Sequence, residues 1–206
     1  MGGLPCALSL ARQGFTKISD YEYASSLGFV GAGIQLAPNM ARILDRLNVW
    51  KPIQAEAVDL KDTSIRQGSS DAELANVQLQ YVRETYGYPH MVGHRSNLAG
   101  EMYNGCKDES ANITFHFSHS VQKVHSWSPG VRFEVKPRDG EAFDVECDVL
   151  LAADGVKSNI RDQMLALLNI DAKVVDSGQA AYRIMLDRKD MENDPELLEL
   201  IDGERA

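Results

Sequence analysis

The chain has 206 residues, with 30 acidic against 21 basic side chains and a formal net charge of −9. That length suits one large domain or one and a half small ones, and 44% apolar with 25% charged residues is an ordinary soluble globular composition. The acidic balance argues against a nucleic-acid partner and against a polybasic membrane contact, and no apolar run approaches the ~20 residues of a membrane helix.

In chain order, Leu4, Ala7, Leu8, Leu10 and Ala11 recur at helical spacing over residues 4–13, and Gly14 is suited to end that helix. Lys17–Glu22 reads as a short strand, although Ser19 and Asp20 are polar where a buried parallel strand is apolar. Gly28 to Gly33 reads as a glycine-rich loop. Pro38 opens a second helix with Met40, Ile43, Leu44 and Leu47 on one face. Residues 55–90 alternate in polarity as short strands around a polar loop at Gly68–Asp71, and residues 96–106 read as a helix.

Ile113–Phe117, Val121–Trp127, Val131–Lys136 and Ala142–Asp148 alternate with period two, so residues 112–147 read as a β-meander with a hairpin turn at Asp139-Gly140. The apolar run Val149–Ala153 reads as a buried parallel strand. The turn pair Asp154-Gly155 and a helix near 159–168 follow, with Ser158 as N-cap. Residues 178–186 read as one more strand, and the tail from Asp187 is acidic. Units of βα type interrupted by an antiparallel insert define an α/β class with a partial second sheet.

Residues 148–161 carry the clearest chemistry. They hold an acid, Asp154, at the carboxyl end of a strand and beside a helix N-terminus, where open α/β sheets bind nucleotides. Near the other end, Gly2-Gly3 opens a helix and Glu22 lies 19 positions after Gly3. A dinucleotide-binding βαβ unit has a glycine at that helix start and an acid about 20 residues on, which bonds the ribose hydroxyls. A plain helix start and a plain strand end would look the same; only the combination with Asp154-Gly155 points to a nucleotide.

The stretch Asp148–Arg161 resembles the "DG" motif of the flavin-dependent aromatic hydroxylases, the salicylate hydroxylase and p-hydroxybenzoate hydroxylase group. In that family the Asp serves both flavin and nicotinamide binding. GAGIQLAPNMARILDRL, from Gly31 to Leu47, resembles the family segment that follows the ribose-binding acid and runs beside the flavin; Gly31 and Gly33 would let backbone approach a cofactor closely. A simple glycine turn ahead of a helix is the alternative. His94-Arg95-Ser96-Asn97-Leu98 resembles the family's HR-x-x-L segment, whose Arg contacts the flavin. Arg95 sits just ahead of a helix, where a cation opposes the dipole unless an anion is near, although a surface pair with Glu101 or Asp108 would also account for it. Val121–Val124 and Arg161 fit the family pattern too, and equally fit ordinary strand and helix-surface positions.

The resemblance implies a partial FAD-binding βαβ domain of glutathione-reductase type over residues 1–165, with the β-meander of 112–147 inserted. Residues 166–206 would begin the sheet of a substrate domain and end in the acidic tail. It implies FAD held by Glu22, Gly33, Arg95 and Asp154, NAD(P)H as co-substrate, a small phenolic or aromatic substrate, and, from its fungal members, a setting in secondary metabolism. Gln179–Met185 resembles a strand whose Arg is regarded as catalytic in relatives acting on phenols, which gives Arg183 that role. A fixed guanidinium stabilises a phenolate, and an ionised ring attacks an electrophilic oxygen faster. A strand Arg paired with Asp176 or Asp187 is the alternative.

Family parts are also missing: a first strand with two further glycines ahead of Gly3, and a later Gly-Asp segment. The chain is thus expected to be truncated at both ends, and a non-catalytic remnant or interaction fragment is the competing expectation. The five histidines have no metal-ligand spacing, and no G-x-S-x-G or Cys–His pairing suggests a hydrolase. Three scattered cysteines and a first segment without a basic n-region fit a cytoplasmic protein with reduced thiols. The oligomeric state is left open.

Overall fold

The computed structural model describes residues 1–27, 32–109, 112–180 and 186–199. The chain begins with α1 (Gly3–Arg12), β1 (Ile18–Glu22), β2 (Gly33–Leu36), α2 (Pro38–Arg46) and α3 (Trp50–Glu56). The strands β3 (Val58–Asp59), β4 (Asp62–Arg66) and β5 (Glu73–Gln78) follow, then α4 (Val82–Tyr86), β6 (Met91–His94) and α5 (Arg95–Asp108). Next come β7 (Ile113–Phe117), β8 (His119–Ser126), β9 (Val131–Pro137), β10 (Phe143–Cys147) and α6 (Asn159–Leu167), and last α7 (Arg188–Met191) and α8 (Pro195–Glu199). The chain divides into two compact units, Met1–Phe29 with Ala99–Ala180, and Val30–Leu98 with Ala181–Ala206.

In the first unit α1 buries Leu4, Ala7, Leu8 and Ala11, the face its spacing predicts, and Cys106 on α5 donates to Leu4 O at 3.4 Å. The helix ends in a full Schellman motif. Gly14, at φ +93°, donates to Ala11 O, and Phe15 donates to Leu10 O. The same device closes α2 and α6 on asparagines, Asn48 and Asn169, at φ 49° and 55°. Strand β1 pairs in parallel with β7, from Ile18 opposite Ile113 to Glu22 opposite Phe117. A three-stranded antiparallel sheet, ordered β10-β9-β8, lies beside this pair. Its core joins Val124, Phe133 and Val135 to Ile160 of α6, with Tyr21, Trp127, Val145 and Leu150 packed around them.

In the second unit β6 pairs with β2 on one edge and β3 on the other, both antiparallel. Pro38 occupies the first turn of α2, as its fixed φ favours. Buried Ala41, Leu44 and Leu47 continue into Val49, Trp50 and Ile53. Tyr88 Oη donates to Asp45 at 2.8 Å, and Arg83 grips Asp59 with contacts of 2.8 and 2.9 Å. A separate two-stranded ribbon, β4–β5, is tied by Ser64 to Glu73 at 2.6 Å and Arg66 to Asp71 at 3.1 Å. Every residue of β5 is exposed.

Four expectations change. The meander has three strands, because β7 pairs with β1; Ser118, at φ 58°, breaks the run between Phe117 and His119 and turns the chain out of the parallel pair. Alternation alone cannot tell these two kinds of partner apart. Val149–Ala153 forms no strand, and Val149 and Leu151 are 61% and 51% exposed. A strand exists only where a neighbour supplies the ladder, and among the described residues none runs beside this segment. Ile43 points to solvent at 54% exposure, since Ala41, not Ile43, completes the buried stripe of α2. Gly33 begins β2 and is not a loop residue, while Gly28 to Gly31 lie outside the described residues, as does most of the strand expected at 178–186.

Candidate functional site

The site is built on the start of α6. Ser158 is its N-cap, and Ser158 Oγ accepts from Arg161 N at 3.0 Å, satisfying one of the free first-turn amides. The same hydroxyl donates to Asp154 Oδ1 at 2.5 Å, and Ile160 N donates to Asp154 Oδ2 at 3.3 Å. Gly155 carries the chain away from Asp154 at φ +80°, which an L side chain rarely adopts. Partial burial pushes the Asp154 carboxyl up. The Ser158 hydroxyl and the helix-start amides outweigh that and hold it below the ordinary carboxylate range. Asp154 is therefore ionised at neutral pH and acts only as an acceptor.

Asp154 faces a pocket of about 300 Å³ lined by Ala152, Gly155, Ser158, Ile160, Arg161 and Met164. Arg161 is committed locally, donating to Val156 O at 2.9 Å and pairing with Asp162 at 3.3 Å. Segment 152–154 also flanks the start of α1. A Cβ on Gly2 would lie 3.4 Å from Ala153 Cβ, and one on Gly3 would lie 2.8 Å from Asp20 Oδ2. The two glycines thus let the helix start sit between β1 and the Asp154 segment.

Asp20 was not singled out from the sequence as a site residue. The available signal was its polarity in a strand that otherwise should be apolar. Burial raises its carboxyl above the ordinary value, and the neighbouring charge of Glu22 raises it further. Glu22 ends β1, two residues on and so on the same strand face. Its Oε1 accepts from Ala24 N at 2.9 Å, which fixes the carboxylate at the turn after the strand.

The other expected residues fall elsewhere. Arg95 is the first residue of α5; its N–H donates to Ala32 O at 3.0 Å and its side chain is exposed. His94 beside it contacts Ser96 Oγ. Among the described residues of its own unit, Arg95 has no ion-pair partner, and Glu101, one suggested partner, accepts instead from Asn104 at 3.2 Å. Gly33 pairs with His94 at the β2–β6 edge. Glu22 and Asp154 belong to the first unit, Gly33 and Arg95 to the second. Arg183 lies outside the described residues.

An ionised acid with acceptor capacity suits sugar or polyol hydroxyls, and glycines at a helix start suit close backbone approach, so the donor set of the first unit fits a flavin nucleotide. The mixed α/β architecture is that of a partial FAD-binding domain. Residues 2–202 match the family model described as "FAD binding domain", and the chain belongs to that family. It is 33% identical over 192 residues to 3-hydroxybenzoate 6-hydroxylase 1 of Aquipseudomonas alcaligenes, covering 93% of this chain and 46% of that protein. It is 30% identical over 195 residues to the 3-hydroxybenzoate 6-hydroxylase of Klebsiella oxytoca, covering 94% of this chain and 46% of that protein. The p-nitrophenol 4-monooxygenase PnpA of Pseudomonas putida DLL-E4 shares the fold with a TM-score of 0.70 at 20% identity, over 79% of this chain and 40% of that chain. The chain spans about half the length of the curated relatives it matches. Among the described residues no helix is long and apolar enough to cross a membrane.

Proposed function

We propose that this chain supplies the nucleotide-holding part of an FAD-dependent monooxygenase that hydroxylates a small phenolic compound with NAD(P)H and O2. The observation that carries the reading is the Asp154–Ser158 cap, an ionised acid held at a helix start next to the glycine start of α1. In this reading Asp154 accepts from hydroxyls of the flavin nucleotide, and Glu22 takes the ribose with the oxygen not used by Ala24. Arg95 offers its guanidinium to phosphate, and Gly33 leaves room for the ring system. Bound FAD supplies the redox chemistry that moves one oxygen atom of O2 to the aromatic ring and reduces the other to water at the expense of NAD(P)H.

Arg183 has the separate task of stabilising the phenolate oxygen of the substrate, which keeps the ring electron-rich. Residues 1–165 form the cofactor part, and 166–206 begin the substrate part. The relatives named as acting on 3-hydroxybenzoate make a hydroxylated benzoate the first substrate class to try.

A second reading, that the chain alone does not retain FAD, is favoured by the exposure of Val149 and Leu151 directly ahead of Asp154. Titration of FAD into the purified chain, followed by quenching of flavin fluorescence, separates the two. Saturable binding that weakens at least about tenfold in Asp154→Ala is expected, the loss of about 1.4 kcal/mol. A chain that purifies colourless and never quenches added FAD sinks the first reading.

A further inference from the structure

Asn159 and Gln163 lie four residues apart on α6 and therefore share a face. That face meets β8. Gln163 Oε1 accepts from Val124 N at 2.8 Å, while its Nε2 donates to Gln122 O at 2.9 Å. Asn159 Nδ2 donates to the same Gln122 O at 2.5 Å and reaches Val121 O at 3.5 Å. These backbone groups sit where β8 is weakest. It is the outer strand of the order β10-β9-β8, and its register against β9 shifts between Val121 and Val124.

An outer strand leaves N–H and C=O groups without a ladder. A side-chain amide presents one acceptor and a donor pair, so Gln163 meets Gln122 and Val124 as a neighbouring peptide would. Apolar packing does little of this work. Ile160 is 6% exposed, but Met164, Leu167 and Leu168 are 42%, 56% and 56% exposed. The attachment of α6 thus depends on one buried isoleucine and two amides, and the first turn so attached is the turn that caps on Ser158 and binds Asp154.

We propose that Asn159 and Gln163 are positioning residues: their amides complete the outer edge of β8 and thereby hold the first turn of α6, and Asp154 with it, in place for the cofactor. The cofactor clause rests on the FAD reading above; the mechanical clause does not.

The test uses the whole chain and two substitutions. Gln163→Met keeps length and volume but loses both hydrogen bonds, whereas Gln163→Glu keeps the acceptor for Val124 N and loses the donor to Gln122 O. Amide hydrogen exchange, read residue by residue by NMR, reports Ile160 and Arg161, whose N–H groups bind Asp154 and Ser158. Val135 in the central strand reports global opening. In Gln163→Met, exchange at Ile160 and Arg161 is expected to rise at least about tenfold while Val135 changes by less than about threefold. Gln163→Glu should fall between. Equal acceleration at all three sites, or none at Ile160 and Arg161, overturns the proposal, because Gln163 would then support the fold in general or nothing in particular.

FAD titration is run in parallel. If the parent chain binds FAD and Gln163→Met binds it equally well despite faster local exchange, the positioning role is overturned. If the parent chain takes up no FAD, the FAD reading fails, and the exchange data still decide whether the amides hold Asp154.

Discussion

Val149 and Leu151, apolar and strand-prone, are 61% and 51% exposed, whereas polar Ser158 a few residues on is 5% exposed. The two stretches are consecutive, so the contrast isolates what each needs from the rest of the molecule. The capped turn closes its own hydrogen bonds locally: its acid, hydroxyl and amides lie within eight residues, from Asp154 to Arg161, and distant partners enter only where Asn159 and Gln163 meet β8. The apolar run needs flanking strands in register, and hydrophobic composition cannot replace them. A local constellation therefore forms beside a segment whose long-range requirement is unmet.

Substitutions can break or sharpen this contrast. The largest effect is expected from Phe133→Ala, which empties the core that anchors Ile160; a loss of about 3–5 kcal/mol should appear in urea unfolding followed by circular dichroism. Ser158→Ala should cost about 1 kcal/mol at neutral pH through loss of the cap. Part of that cost is pH-dependent. The lowered folded-state pKa of Asp154 gives stability that is present above the ordinary carboxylate value and lost as pH falls through the folded value, so the gap between parent and Ser158→Ala should narrow in acid.

Asp20→Asn should have the opposite sign. A raised carboxyl contributes stability that is fully present below the unfolded pKa and lost as pH rises through the folded one, so removing the charge should stabilise the chain at pH 7. The gain should vanish below the ordinary carboxylate range, which the same urea unfolding assay repeated in acid would show. The smallest effect is expected for Leu151→Asp, within about 0.5 kcal/mol in the same urea assay. A loss of several kcal/mol there would mean the run is buried after all.

The same distinction explains what could be read from the residues. The first helix with its Gly14 ending, the Pro38 start of α2 and the Asp154–Ser158 turn were all legible, because each is decided within a few residues. The asparagine endings at Asn48 and Asn169 were missed, since asparagine adopts the left-handed region less often than glycine. The transfer of β7 to β1 was missed because a two-residue alternation reports a half-buried face and says nothing of which strand lies alongside. Among the candidate site residues, Glu22 was singled out by its spacing after Gly3 and Asp154 by its place between an apolar run and a helix start. Asp20 registered only as a polar oddity, and Gln163 left no trace, as a helical glutamine usually meets water.

The ribbon β4–β5 has a practical consequence. With every residue of β5 open to solvent and its turn at residues 68–70 held by short-range hydrogen bonds, sequence drift there disturbs no packed interior. That turn is the natural place to graft an epitope or attach a fluorophore, since none of the hydrogen bonds that hold it involves the starts of α1 or α6.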